Sequence, residues 1–169
     1  MSDILFWIVA HGLCAIFHGG LVAASFYSFA SCAMHSHGCG QDISGIILPW
    51  ASFAVGSFAT MFNAGLLKRI LLLERPSSDS TSEHHRFKKR VVIVIGAVFN
   101  ALFLITDIYF AATTSKSTSE EFKQLRPVCA LAALSAIALF ATIVMDIIKL
   151  VEIQRQKAEV DEVLDSLEP

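Results

Sequence analysis

The chain has 169 residues, of which 54% are hydrophobic and 17% are charged, and its mean hydropathy is +0.61. A soluble globular domain has about 45–50% apolar and about 25% charged residues, so this composition indicates a membrane protein. The formal net charge of −2 carries no information about partners. No basic stripe alternates with aromatic residues, so we expect no nucleic-acid partner.

Four hydrophobic stretches each have the roughly 20 residues that a helix needs to cross a bilayer. They predict spans at 4–33, 43–73, 91–112 and 127–151. Ser80 and Glu83 form a capping-box pattern, which predicts that a helix begins ahead of the third span. We therefore predict an all-α fold, a single tetraspan four-helix bundle with short loops. The charged tail 152–169 is predicted to extend the last helix out of the membrane as an amphipathic segment, either solvated or able to dock a partner.

The basic residues are distributed unequally between the two sides of such a bundle. Ten of the 13 Lys and Arg residues fall on the side shared by both termini and the linker after the second span. The other three are Lys116, Lys123 and Arg126. By the positive-inside rule, both termini face the cytoplasm or the matrix. The sequence does not distinguish the mitochondrial inner membrane from the plasma membrane or endomembranes.

Each span has one face of small or polar residues, at the spacings of three, four and seven that bring side chains together on a helix. We expect all four faces to turn inward and form the bundle core. The face of the first span consists of polar residues, and we call it the polar line. The four faces consist of His11, Cys14, His18, Ser25, Ser28 and Cys32; Ser52, Gly56, Thr60 and Ala64; Gly96, Asn100, Asp107 and Ala111; and Ser135, Ala138, Thr142 and Asp146.

Six of the polar residues have side chains that are costly to place in hydrocarbon, and they are candidates for a functional site. They are His11, His18, Asn63, Asn100, Asp107 and Asp146. Antiparallel threading predicts the pairs His11–Asp146 and His18–Asn100, with Asp107 near Ser25 or Ser28. Two interpretations stay open. The groups either hold the helices together, at about 0.6 kcal/mol each, or form a path for protons or ions.

A haem held by this chain alone is not expected. His11 and His18 are two turns apart on one helix, about 10 Å along its axis, so they cannot both ligate one iron. The other three spans contain no histidine. We expect no cofactor, although a ligand shared with another subunit stays open, and we expect bound lipid.

The loop after the first span contains Cys32, His35, His37 and Cys39. These residues are weak candidates for a Zn²⁺ or copper site, since their spacing matches no zinc finger. A disulfide, Cys32–Cys39 or Cys39–Cys129, and free thiols are the alternatives. The Cys-x-x-Cys motif of a thiol-redox enzyme is absent.

No phosphate loop, GxSxG or HExxH motif occurs, so we expect no enzymatic activity. The sequence favours a structural or accessory subunit of a larger membrane complex, such as a respiratory or other energy-transducing assembly. Its partners would be other membrane subunits and lipids. The alternative is a small channel or transporter for protons or metal ions, which could be a homo-oligomer and would use the His/Asn/Asp track.

In its number of spans and in having both termini inside, the chain resembles tetraspan families, including the MARVEL type. That resemblance implies a membrane-organising role as a third alternative. The outer loops are too short for a claudin or a tetraspanin.

Overall fold

The computed structural model is all-helical over the residues it describes, which are 2–34, 43–73, 83–116 and 125–167. Side chains are described for 5–30, 47–72, 86–115, 125–156 and 158–159. The helices are α1 (Ser2–Met34), α2 (Ile43–Leu73), α3 (Glu83–Lys116) and α4 (Arg126–Leu167).

Each helix contains a segment long and apolar enough to cross a membrane. These segments are Leu5–Ala30, Ile47–Leu72, Arg86–Ser115 and Arg126–Gln156. The prediction of four such helices is therefore confirmed. The beginning of α3 at Glu83 agrees with the Ser80–Glu83 capping pattern. The 42 residues of α4 include most of the charged tail, which continues the helix of the fourth span without a break.

Neighbouring helices run antiparallel. Contacts between α1 and α4 show this: Trp7 contacts Asp146, and Cys14, which comes later in α1, contacts Thr142, which comes earlier in α4. Helix α1 packs against α2 and α4, and α3 packs extensively against α4 but less so against α2. Helices α1 and α3 are therefore diagonal in the bundle and parallel. We call the end that holds Ser2 and the tail of α4 the inner end.

Three apolar clusters are stacked along the bundle axis. The inner cluster consists of Trp7, Leu66, Ile70, Ile93 and Ile153. The middle cluster consists of Cys14, Ala59, Phe103, Ala138 and Leu139. The outer cluster consists of Leu21, Ala24, Phe110, Leu125, Val128 and Ala132.

Large apolar side chains also cover the outside of the bundle. Phe6, Ile16, Met61 and Ile137 are each more than 60% exposed, whereas most of the polar side chains within the helices point inward. This distribution is the inverse of that in a water-soluble protein and fits a surface solvated by lipid.

The small-residue face of α2 turns inward over only part of its length. Ser52 and Gly56 are buried against α1, but Ala64 is exposed. A spacing of four residues exceeds the helical repeat of 3.6, so the face rotates by about 40° at each step. The prediction that Ala64 belongs to this face is therefore wrong. The faces predicted on α1, α3 and α4 do turn inward: His11, His18, Asn100, Asp107, Ser135 and Asp146 all have 0% exposure.

Candidate functional site

A column of fully buried polar side chains runs along the centre of the bundle, with members from all four helices. We call it the polar column. Each member has 0% exposure, and the members are His11, Cys14, His18, Ser25, Ser52, Asn63, Asn100, Asp107, Ser135, Thr142 and Asp146. From His11 to Ser25 it spans about 21 Å along α1, at the helical rise of about 1.5 Å per residue.

The inner part of the column is centred on the Asp146 carboxylate. Its Oδ1 accepts a hydrogen bond from Trp7 Nε1 at 2.7 Å and lies 3.3 Å from His11 Nε2. Its Oδ2 has no hydrogen-bond partner among the described residues and lies next to Gly96. The predicted pair His11–Asp146 is therefore present, with Trp7 as an additional partner.

Both ring nitrogens of His11 face oxygen atoms. Nδ1 lies 3.3 Å from Asn63 Oδ1, and the orientation of that amide follows from its Nδ2, which donates to the Ala59 carbonyl at 3.1 Å. A neutral imidazole has one N–H and can donate to only one of its two neighbours, whereas an imidazolium can donate to both. If both ring nitrogens of His11 carried a hydrogen, each N–H would therefore face an acceptor oxygen, on Asn63 or on Asp146.

One turn further out, Cys14 and Thr142 connect α1 to α4. The Thr142 hydroxyl donates to the Ala138 carbonyl at 2.8 Å, so its oxygen is left as the acceptor for the Cys14 thiol at 3.1 Å. This contact lies between the two histidines along the bundle axis.

The middle of the column holds a second His–Asp pair, which joins the diagonal helices α1 and α3. His18 Nε2 lies 3.1 Å from Asp107 Oδ2, a separation typical of an ion pair, although the two atoms are not aligned for a regular hydrogen bond. His18 Nδ1 lies 2.7 Å from the Cys14 carbonyl. A carbonyl oxygen can only accept, so Nδ1 carries a hydrogen and Nε2 is left to face the carboxyl group.

The predicted pair His18–Asn100 is wrong, because His18 contacts Asp107. Asp107 was expected near Ser25 or Ser28, but its carboxyl group accepts no hydrogen bond from either, and Ser25 bonds to Ser52. These partners were predicted from the depth of each residue in the bilayer. That depth was counted as if all four helices were centred on one plane. In the structure, Gly96 of α3 lies beside Asp146, and in this register Asp107 lies at the level of His18.

Asn100 and Ser135 are buried without hydrogen bonds from their side chains. Neither Asn100 Oδ1 nor Nδ2, nor Ser135 Oγ, has a partner among the described residues. Asn100 lies on α3 between Gly96, which is next to Asp146, and Asp107. The two His–Asp pairs are thus separated by a side chain with free donors and acceptors.

The two His–Asp pairs lie between apolar clusters. The inner cluster, which includes Trp7 and Ile93, lies at the level of Asp146 and further in. The outer cluster begins at Leu21, one turn beyond His18, and surrounds the Ser25–Ser52 contact of 2.7 Å. Apolar clusters therefore lie on both sides of the two pairs along the bundle axis.

No group of three or more His, Cys, Asp or Glu side chains that could hold a metal ion occurs among the residues the structure describes. The predicted candidates Cys32, His35, His37 and Cys39 lie outside the described side chains. Cys129 is a free thiol, and its Sγ lies 3.5 Å from the Ala111 carbonyl. The predicted disulfides Cys32–Cys39 and Cys39–Cys129 both involve Cys39, which lies outside the described residues.

Sequence reasoning missed Trp7 as a partner in the site. It lies one turn before His11 on the same face of α1, so the helical spacing that identified the polar line could also have identified the indole.

No family model, no curated protein and no solved structure matches this chain.

Proposed function

We propose that this chain is a small membrane protein that moves protons across the bilayer by way of its two buried His–Asp pairs. The observation that carries the proposal is the contact of 3.1 Å between His18 Nε2 and Asp107 Oδ2, with both side chains fully buried. Intramembrane histidines and carboxylates are the groups from which proton relays are built.

The hydrogen-bond pattern requires a proton in this contact. Because His18 Nδ1 already donates to the Cys14 carbonyl, an unprotonated Nε2 would lie 3.1 Å from an oxygen of an ionised carboxylate with no proton between them. That repulsion is avoided when one proton lies on either atom, as imidazolium with carboxylate or as imidazole with carboxylic acid. Both forms have zero net charge, so the pair can hold a proton in a medium that disfavours isolated charge.

The second pair extends the route toward the inner end of the bundle. His11 and Asp146 can hold a proton in the same way, and Asn100 lies between the two pairs with its amide unpartnered. The described residues favour protons over metal ions, because no third ligand joins either His–Asp pair. The apolar clusters at both ends favour a carrier that opens in turn to each side over a permanently open pore.

The proposal is tested by proton flux into vesicles that contain the purified protein and a pH-sensitive dye, driven by a potassium diffusion potential. Asp107→Asn should abolish the flux while the protein stays folded, because the Asn amide can still donate to His18 Nε2 but carries no exchangeable acidic proton. Thr106→Val is the matched control, since Thr106 is adjacent in sequence and donates its hydroxyl, in an exposed hydrogen bond, to the Leu102 carbonyl of its own helix.

Flux in wild type and in Thr106→Val, together with its loss in Asp107→Asn and in His18→Gln, would support the proposal. Flux through Asp107→Asn equal to that of wild type would overturn it. So would wild-type vesicles that are no more permeable to protons than empty ones.

An accessory role in a membrane complex is the second candidate, and it rests on the length of α4. This helix continues for 16 residues beyond Val151, where the predicted fourth span ends, to Leu167. Such a projection offers a surface to a partner outside the membrane. If it docks a partner, full-length protein extracted in mild detergent should migrate on native gels in a larger complex, and protein truncated after Gln156 should not. Migration of both forms as the same small species would exclude this role.

A further inference from the structure

A basic groove opens between α2 and α3 at the inner end of the bundle, on the side where these two helices pack least closely. Its volume is about 700 Å³. The residues that line it are Gly65, Lys68, Arg69, Leu72, Phe87, Lys88, Val91 and Val92. The groove lies outside the polar column and takes no part in the proton route.

The rim of the groove is positively charged. Lys68, Arg69 and Lys88 are exposed, and none of the three has a hydrogen-bond or ion-pair partner within the described part of the chain. Among the residues that the structure describes, no acidic residue lines the groove. The three cations line one groove and have no counter-charge among those residues, so an anion placed among them would be stabilised.

The rest of the groove is apolar and lies within the membrane-spanning segments. Leu72 is 53% exposed and Phe87 is 64% exposed, and Val91 extends the surface toward the middle of α3. Gly65 leaves space, since a Cβ at this position would have no heavy atom within 4 Å. An occupant that fits both parts must combine an anionic group with hydrocarbon.

We propose that this groove binds one anionic phospholipid from the inner leaflet. The headgroup phosphate lies among Lys68, Arg69 and Lys88, and an acyl chain runs past Leu72 and Val91. The proposal rests on insertion of the four helices in a membrane, with the inner end at the leaflet that carries anionic lipid, and it is independent of proton transport. Basic pockets between helix ends at this depth are suited to lipid headgroups. A volume of about 700 Å³ holds a headgroup and the first part of its chains.

The test is native mass spectrometry of the full-length protein in detergent, titrated with dioleoylphosphatidylglycerol or with dioleoylphosphatidylcholine. One variant, Lys68→Gln with Arg69→Gln and Lys88→Gln, removes the charge but keeps the shape. The other, Gly65→Trp, fills the groove but keeps the charge. Each has a matched control: Arg155→Gln removes an exposed cation at the same end, and Gly12→Trp places the same indole at another open glycine.

We expect wild type to retain one phosphatidylglycerol in preference to phosphatidylcholine. Each basic residue should contribute about fivefold, so the triple variant should bind on the order of 100-fold more weakly. Gly65→Trp should lose the bound lipid, while Arg155→Gln and Gly12→Trp should keep it. Melting temperatures close to that of wild type would show that the variants are folded.

Equal retention of the two lipids, or retention of phosphatidylglycerol by Gly65→Trp, would overturn the proposal. Displacement of the lipid by glycerol phosphate at the same concentration would identify a site for free phosphate, and binding of an acidic peptide in place of lipid would identify a protein site. Either result rules out the phospholipid. Proton flux in Gly65→Trp reports on the other proposal, so failure of one is distinguishable from failure of the other.

Discussion

At the scale of single residues, the two His–Asp pairs differ in what contacts Nδ1, the histidine ring nitrogen that does not face the aspartate. His18 Nδ1 is committed to the backbone carbonyl of Cys14, so only its Nε2 can change protonation without breaking a bond. His11 faces an oxygen atom on both sides, from Asn63 and from Asp146. In the inner pair both ring nitrogens of the histidine therefore face side-chain oxygens, whereas in the middle pair only Nε2 faces a carboxyl group.

The Asp146 side chain should contribute to stability mainly as a hydrogen-bond acceptor. Asp146→Leu removes the acceptor for Trp7 and His11 and should lower the free energy of unfolding by about 1–3 kcal/mol relative to Asp146→Asn, which keeps an oxygen at that position. Unfolding by denaturing detergent can be followed by the fluorescence of Trp7 in a Trp50→Phe background, where Trp7 is the only tryptophan. Equal stability of the Leu and Asn variants would contradict this role.

The sequence could identify which residues enter the column but not all of their partners. The spacings that place His11, His18, Asp107 and Asp146 on inward faces are local properties of a helix, and the structure buries all four. The partner of His18 depends on how far α3 slides along its neighbours. That register depends on contacts between helices, such as Gly96 beside Leu66 and Asp146, which the sequence pattern does not reveal.

At the scale of helices, close approach at small residues positions the elements. A Cβ at Gly56 would lie 3.1 Å from Val22 Cγ2 and 3.4 Å from the His18 carbonyl oxygen, so α1 and α2 are nearly in backbone contact there. That approach occurs one turn from Ser52, whose hydroxyl bonds to Ser25. The same contact surface therefore holds the α1 backbone at His18 in place.

A larger side chain at Gly56 should separate α1 from α2. We expect Gly56→Leu to destabilise the protein by about 1–3 kcal/mol, because overpacking against a backbone cannot be relieved by a rotamer change. Gly12→Leu, at a position with no heavy atom within 4 Å of the added Cβ, should be neutral or slightly stabilising. Thermal unfolding of both variants in the same detergent measures the difference. Equal melting temperatures would show that the two helices are not in close contact at Gly56.

Helix boundaries were more predictable than helix packing. The long apolar stretches and the Ser80–Glu83 pattern predict where the four helices lie, because length, composition and caps are encoded locally. How far along a helix a small or polar face stays turned toward the bundle centre depends on packing against other helices, so it is not encoded locally. A regular spacing of four residues in α2 ends with Ala64 exposed, since the face rotates away from α1.

At the scale of the whole molecule, charge and polarity are segregated. Buried ionisable groups occupy the axis, apolar side chains cover the outside, and three cations line the basic groove at the inner end. The spacing of the polar residues predicts the first feature, and the apolar composition of the spans predicts the second. The groove could not be predicted, because it arises from the loose packing of α2 against α3, which brings Lys68 and Lys88 together from positions 20 residues apart.

The positive-inside bias leads to a prediction about topology, which the helix lengths alone leave open. Ser115 and Arg155 lie at opposite ends of the bundle, at the end of α3 and on the projecting part of α4. With the four native cysteines replaced by alanine, Ser115→Cys should react with a membrane-impermeant maleimide in intact bacterial spheroplasts. Arg155→Cys should react only after permeabilisation, since the ten basic residues near the inner end hold it in the cytoplasm.

The paired design makes the topology measurement decisive, because each variant is the accessibility control for the other. Reaction of Arg155→Cys alone in intact spheroplasts would mean that the bundle is inverted and that the basic groove faces the leaflet opposite to the one proposed. Reaction of both variants before permeabilisation would contradict a bundle that spans the membrane. It would also remove the basis for proton transfer along the polar column, because the two ends of that column would then open to the same compartment.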